Sequence, residues 1–161
     1  MNDLESLLER FRRGAELIAA TSAGMSGGEA DFSPAPGKWT ARQIVAHLAD
    51  TELVAADRMR RTIAEDRPAL IAFDQDRWAA ALGYADRRLS DSIELLRAVR
   101  AANFDLLRSL PEATFARAAL HSERGEITLM DMLRTFTLHI ETHAKQIDHI
   151  REKYRESRPR A

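Results

Sequence analysis

Residues 129–150 read LMDMLRTFTLHIETHAKQIDHI. At about 100° per residue, with His139 set at zero, Leu129, Met132, Leu133, Phe136, Ile140, His143, Ile147 and Ile150 fall within roughly 120° of it. Glu141, Lys145, Asp148 and Glu152 fall on the far side. This is the pattern of an amphipathic helix. Thr128 opens it, with Asp131 at the capping-box position, and it is expected to reach about Tyr154. Its inward stripe carries two imidazoles one turn apart, His139 and His143.

Three more long helices are predicted. The first spans about Asp3–Ala20, with Leu4, Leu7, Leu8, Phe11, Ala15 and Ile18 at helical spacing. It stops in SAGMSGGEA, where glycine and serine interrupt it. DFSPAPGKW follows as an irregular connector, because two prolines and a glycine forbid a helix. Thr40 and Gln43 form a capping box that opens the second helix, which runs to about Ala64. The third covers about Asp91–Leu110, capped by Ser90, with Ile93, Leu96, Val99, Leu107 and Leu110 as its stripe and Pro111 after its end.

Between the second and third helices, PALIAFDQDRWAAALGYADRRL holds one short helix near Asp76–Leu82, ended by Gly83. TFARAALHSERGEIT reads as a small hairpin or extended loop with its turn at Arg124-Gly125. The expected fold is all-α: a four-helix bundle with long connectors and a short hairpin-like loop before the last helix. Residues 1–161 form one domain, with 155–161 a polar, frayed tail.

On the second helix, with His47 at zero, Ile44, Leu48, Thr51, Ala55 and Met59 share its side, and Asp50, Asp57 and Arg60 do not. A third histidine therefore sits on an inward stripe, from a different helix. A lone core histidine is usually structural, bonded to a hydroxyl or water. Three on facing stripes favour a metal site. Ligands from two helices can converge in a bundle core, and three neutral imidazoles leave a zinc-type ion an open position. HIETH is not the H-E-x-x-H of the zincins, since Glu141 points away from the stripe. A di-iron carboxylate bundle is disfavoured, because no Glu-x-x-His pair with an inward carboxylate is evident. His149 reads as a surface residue. His121 reads as a solvated loop histidine or a residue at the rim of the site.

The bulk composition sets limits. The chain has 161 residues, 45% hydrophobic and 30% charged, with net charge −1 and no cysteine. It lacks the basic excess expected of a nucleic-acid or anionic-membrane binder, and metal ligands must be nitrogen or oxygen. No apolar run approaches the ~20 residues of a bilayer span, and the charged N-terminus does not resemble a secretory signal. A cytoplasmic location is the expectation.

The order of several segments carries a family resemblance: P-x-x-x-K-W-T leading into QIVAHLADTE, then FDQDRWAAALGYADR, HSERGEITLMDML and LHIETHAKQIDHI. Together, from about Pro36 to Tyr154, they resemble the DinB/YfiT-like superfamily of metal-binding four-helix bundles. The resemblance implies a divalent metal, zinc or nickel, held by His47, His139 and His143. It also implies a low-molecular-weight thiol cosubstrate in some members, hydrolase activity in others, a small-molecule substrate and a homodimer.

Two functional readings follow. In one, the chain is a metal-dependent thiol S-transferase or hydrolase, its nucleophile a thiol or water on the ion. In the other, it is a non-catalytic metal- or ligand-binding bundle, a sensor or scaffold. Thr51 and Gln146 are candidates to orient the imidazoles, as well as ordinary helix-face residues. Arg58 faces the His47 side, where it either binds an acidic group or extends to solvent. Trp39 packs as a staple before its helix. Trp78 and Tyr84 anchor the connector onto the bundle, with substrate lining as the alternative role.

Overall fold

The computed structural model describes residues 3–158. The elements are α1 (Asp3–Thr21), α2 (Gly27–Ala30), α3 (Ala41–Ala64), β1 (Ala69–Leu70), α4 (Gln75–Ala81), α5 (Leu89–Arg108), β2 (Ala118–His121), β3 (Gly125–Thr128) and α6 (Leu129–Ser157). Short 3₁₀ turns at Tyr84–Asp86 and Glu112–Ala116 flank α5. The long helices α1, α3, α5 and α6 form the four-helix bundle expected from the periodicity. α1 packs on α5 and α6, and α3 packs on the same two, so α3 lies across the bundle from α1. That arrangement makes α3 and α6 neighbours.

Local chemistry sets the helix ends. Thr40 accepts from the Gln43 amide at 3.2 Å while Gln43 Oε1 accepts from the Thr40 amide at 2.9 Å, a complete capping box. Thr128 and Asp131 make the same exchange at 3.1 and 3.0 Å. At the far end of α3, the Arg117 guanidinium donates to the carbonyls of Thr62 and Glu65 at 2.9 and 2.6 Å, satisfying oxygens that the helix leaves unpaired. Gly14 lets α1 approach α6 closely: a Cβ there would stand 3.0 Å from Ile140 Cγ2.

Several boundaries differ from the sequence reading. α5 begins at Leu89 with Arg88 as its cap residue and no side-chain cap bond. Ser90 is already inside the helix, and its hydroxyl donates to Asp91 Oδ1 at 3.0 Å. The glycine-rich segment after α1 holds the one-turn helix α2, capped by Ser26. α6 continues through Ser157, so part of the expected tail is helical; the remainder, 159–161, lies outside the described residues.

The hairpin turns at Arg124-Gly125 as expected, with Gly125 at φ 71°, where a side chain would be strained. The sequence reading missed its partner. β1, from the connector after α3, pairs in parallel with β2, with Ala69 opposite Leu120 and Leu70 opposite His121. This three-stranded sheet ties the connector to the segment that leads into α6. The connector also covers α3. Asp50, off the expected inward stripe, is buried because Arg87 from that connector reaches it at 2.6 Å.

Two large apolar clusters fill the bundle, and a small third one, Ala46, Ala79 and Tyr84, joins the connector to α3. One of the large pair gathers Phe11, Met59, Leu107, Leu129 and Leu133. The other gathers Ile18, Ile44, Leu48, Leu96, Ile140 and Ile147. Between them, in chain position on every long helix, lie Gly14, Thr51, Glu52, Arg100, Asn103, Thr137 and His139. A polar stratum thus separates two hydrophobic halves.

Candidate metal centre

His47 on α3 faces His139 and His143 on α6. Nε2 of His139 stands 3.1 Å from Nε2 of His47 and 3.1 Å from Nε2 of His143. One nitrogen from each ring lies within 4.8 Å of the other two. The rings meet edge to face, with centroids 4.6–5.2 Å apart. The α3 capping box feeds this geometry, because the preceding Trp39 packs its ring 5.0 Å from that of His47.

Gln146 Oε1 accepts from His143 Nδ1 at 2.9 Å, so that nitrogen carries the proton and Nε2 presents a lone pair. Gln146, a candidate to orient the imidazoles, does so at His143, one turn back. Thr51 Oγ1 lies 3.4 Å from both nitrogens of His47, which is contact with the ring rather than a directed bond.

All three imidazoles are held neutral. Burial, then the neighbouring His143, pushes His47 down to about 4. Burial, then His143 and His47, pushes His139 down to about 3. Burial also lowers His143, against the opposing bond to Gln146. Neutral imidazole is the form that ligates a metal. Three inward nitrogens with at most one shared proton repel one another, and a cation relieves this. At the ~2.0–2.1 Å of a zinc–imidazole bond, nitrogens 3.1 Å apart subtend roughly 100° at the ion, close to tetrahedral. The donor set therefore fits a divalent ion such as zinc or nickel. Among the described residues, the cluster contains no fourth histidine or carboxylate.

His47 and His139 open onto a cavity of about 170 Å³ lined also by Thr51, Arg58, Phe73, His121, Arg124 and Phe136. His121 corrects the loop reading. It ends β2 and is buried at 8% exposure, because β1 pairs beside it. Its Nδ1 accepts from the Glu123 amide at 3.2 Å, which leaves Nε2 as the protonated nitrogen. Arg58 lines the cavity and donates to the Ile71 carbonyl at 2.6 Å. Trp78 does not line it. Trp78 stacks on Phe73 at 4.3 Å and borders a separate groove with Leu53, Ile71 and Leu82. Tyr84 is fully buried beneath the connector. His149 is exposed, its Nδ1 3.9 Å from Glu152.

The polar stratum beside the histidines escaped the sequence reading. Arg100 and Glu52 form an ion pair with both side chains 2% exposed. Asn103 Nδ2 donates to the other Glu52 oxygen at 2.8 Å, and Arg60 donates to Asn103 Oδ1 at 2.6 Å. Glu52 is thus an inward carboxylate, but it belongs to no Glu-x-x-His pair and Arg100 neutralises it, in keeping with the exclusion of a di-iron site. A signal existed. The buried positions of α5 are Ser92, Leu96, Arg100, Asn103 and Leu107, a regular helical stripe that polar residue types disguise.

A four-helix bundle with a three-imidazole cluster beside a cavity defines the class of protein. A family model of the DinB superfamily matches residues 10–147, and the chain belongs to that superfamily. It is 31% identical over 124 residues to YfiT of Bacillus subtilis, provisionally named a metal-dependent hydrolase, covering 76% of this chain and 70% of that protein. It is 27% identical over 147 residues to OB0782 of Oceanobacillus iheyensis, named in the same way, covering 91% and 81%. The solved structure of YfiT, described as a four-helix bundle of unusual topology, superposes with a TM-score of 0.86 at 25% identity, covering 97% of this chain and 89% of that one. A mycothiol-dependent maleylpyruvate isomerase shares the fold at a TM-score of 0.73 and 17% identity, with 91% of this chain and 61% of that one covered.

Proposed function

We propose that this chain is a metal-dependent enzyme in which His47, His139 and His143 hold a divalent ion that activates water or a low-molecular-weight thiol toward a small electrophile. The observation that carries this reading is the convergence of three neutral Nε2 atoms, with two of the rings, His47 and His139, lining a cavity. The names of the YfiT-type relatives, metal-dependent hydrolases, support it. A scaffold, or a sensor of the metal alone, needs no such cavity beside the ligands.

When bound, such an ion supplies Lewis-acid chemistry, lowering the pKa of water toward ~7 or holding a thiol deprotonated. The protein's own groups do the rest. Gln146 fixes the tautomer and rotation of His143. Trp39 restrains the His47 ring. Phe73, Ile127, Met132 and Phe136 make part of the cavity wall apolar and limit the water that reaches the nucleophile. His121 presents an N–H to the same space, so it can donate to a group on the substrate.

The test is elemental analysis of the purified chain and of His47→Ala, His139→Ala and His143→Ala, followed by turnover assays. Wild type is expected to carry one ion per chain, and each variant to lose it. The loaded protein is then assayed with several thiols and a halobimane, and with an ester for the water reaction. Full ion content in the three variants overturns the site. Absence of turnover with every thiol and with water overturns the enzyme.

A further inference from the structure

Two arginines line the histidine cavity, and among the described residues neither forms an ion pair. Arg58 is half-buried on α3, with its one hydrogen bond to the Ile71 carbonyl and its guanidinium 6.0 Å from the Phe73 ring. Arg124 is exposed on the turn between β2 and β3 and makes no hydrogen bond there. Many of the other arginines among the described residues are paired, although Arg60, Arg77, Arg117, Arg155 and Arg158 are not. Arg10, Arg12, Arg42, Arg61, Arg97 and Arg151 each pair with a carboxylate. Of the two acids that line the cavity, Asp131 is spent on the Thr128 amide and hydroxyl. Glu123 and Asp131 balance the two guanidinium charges in formal count, but neither carboxylate stands within ion-pair distance of either guanidinium, so most of the guanidinium donors stay open to a ligand.

Helical geometry sets the direction. Arg58 is eleven residues after His47, which turns it only ~20° from the histidine direction and moves it ~16 Å along the axis. Helical side chains lean toward the N-terminus, so the guanidinium leans back toward the histidines. The sheet carries Arg124 to the same cavity from the opposite side. β1 pairing with β2 is what brings the hairpin over α3.

We infer that the molecule taken into this cavity carries a carboxylate remote from its reacting atom, and that Arg58 and Arg124 bind this carboxylate while the reacting atom rests at the histidine cluster. The inference rests on the proposed function for what happens at the histidines, but the arginine contacts do not depend on it. The fork of a guanidinium matches a carboxylate in two parallel hydrogen bonds. The planar fork matches the two coplanar oxygens of a carboxylate more closely than a tetrahedral phosphate.

Isothermal titration of the purified full chain tests this, with succinate as the probe, succinamide as its neutral isostere, and inorganic phosphate. Succinate is expected to bind saturably and to weaken as salt is raised; succinamide is expected to give no heat. Arg58→Gln and Arg124→Gln should each weaken succinate about tenfold, and the exposed Arg155→Gln on the last turn of α6 should not. Arg124 makes no hydrogen bond or ion pair among the described residues, so its variant reports with little risk to the fold, whereas Arg58→Gln also loses the bond to Ile71. The His139→Ala chain should keep succinate binding that depends on Arg124, which separates failure at the histidines from failure of the anion site. Equal binding of succinate and succinamide, tighter binding of phosphate than of succinate, or undiminished binding in Arg124→Gln would each overturn the inference.

Discussion

Gln146 Oε1 and His143 Nδ1 are 2.9 Å apart, one turn from each other on the outer side of the imidazole cluster. The bond commits Nδ1 to donation and aims Nε2 inward. Groups that hold a ligating histidine in this way typically contribute 10–100-fold to metal affinity. Gln146→Leu should therefore weaken metal binding by that factor without removing the site, measured by competition with a chelating indicator. Unchanged affinity would mean that packing alone orients the ring.

Glu52 and Arg100 form the charged centre of the bundle, and the two stand or fall together. Truncating one partner of a buried pair leaves the other charge uncompensated and costs about 3–5 kcal/mol. Glu52→Ala should show that loss in urea unfolding, with a lower midpoint. Arg100 also stands over the Phe11 ring at 3.9 Å and donates to the Phe11 carbonyl at 3.2 Å, so Arg100→Ala should lose at least as much. A loss below about 1 kcal/mol in Glu52→Ala would show that water enters the stratum.

Acid should unfold the metal-free protein earlier than an ordinary bundle of this size. In the unfolded chain the three imidazoles take up protons near their ordinary value of 6.5. In the fold His47 does so near 4 and His139 near 3. Between those limits the unfolded state holds more protons, so stability falls as the pH drops from about 6.5 toward 3, His47 contributing down to about 4, and is steady above that window. Denaturant midpoints taken across pH 4–8 on the chelated protein measure this. His47→Gln should flatten the slope, and a slope unaltered by that substitution would assign the acid sensitivity elsewhere.

Gly14→Ala sets two effects against each other. Alanine improves helix propensity by up to about 1 kcal/mol. Its Cβ would meet Ile140 Cγ2 at 3.0 Å and Arg100 Nη1 at 3.3 Å. Ile140 is β-branched and stiff on its helix, so the overpacking cost of about 1–3 kcal/mol should win. The expected result is a lower thermal midpoint; a higher one would mean that α1 shifts outward freely.

Much of this molecule was legible without coordinates. The four long helices, both capping boxes, the hairpin turn and the inward direction of His47, His139 and His143 all follow from spacing along one segment at a time. The parts that were not legible share a cause. Arg100 and Asn103 occupy the buried stripe of α5, but a hydrophobic pattern passes over them, since only Glu52 on another helix makes their burial tolerable. His121 reads as a loop residue until β1 pairs beside it. Asp50 reads as a surface acid until Arg87 arrives from 37 residues away in chain order. Trp78 gave no sign that it would support Phe73 rather than face the cavity.

The sequence by itself determined where the helices run and which faces turn inward, because caps and a 3.6-residue period act over a few neighbouring positions. Only the tertiary structure decided that α3 lies beside α6, and so that three imidazoles reach within hydrogen-bond distance of a common point. It also decided that β1 closes the sheet that carries His121 and Arg124 to the cavity. Those outcomes depend on contacts between segments distant in the chain, whose partners no local periodicity can name.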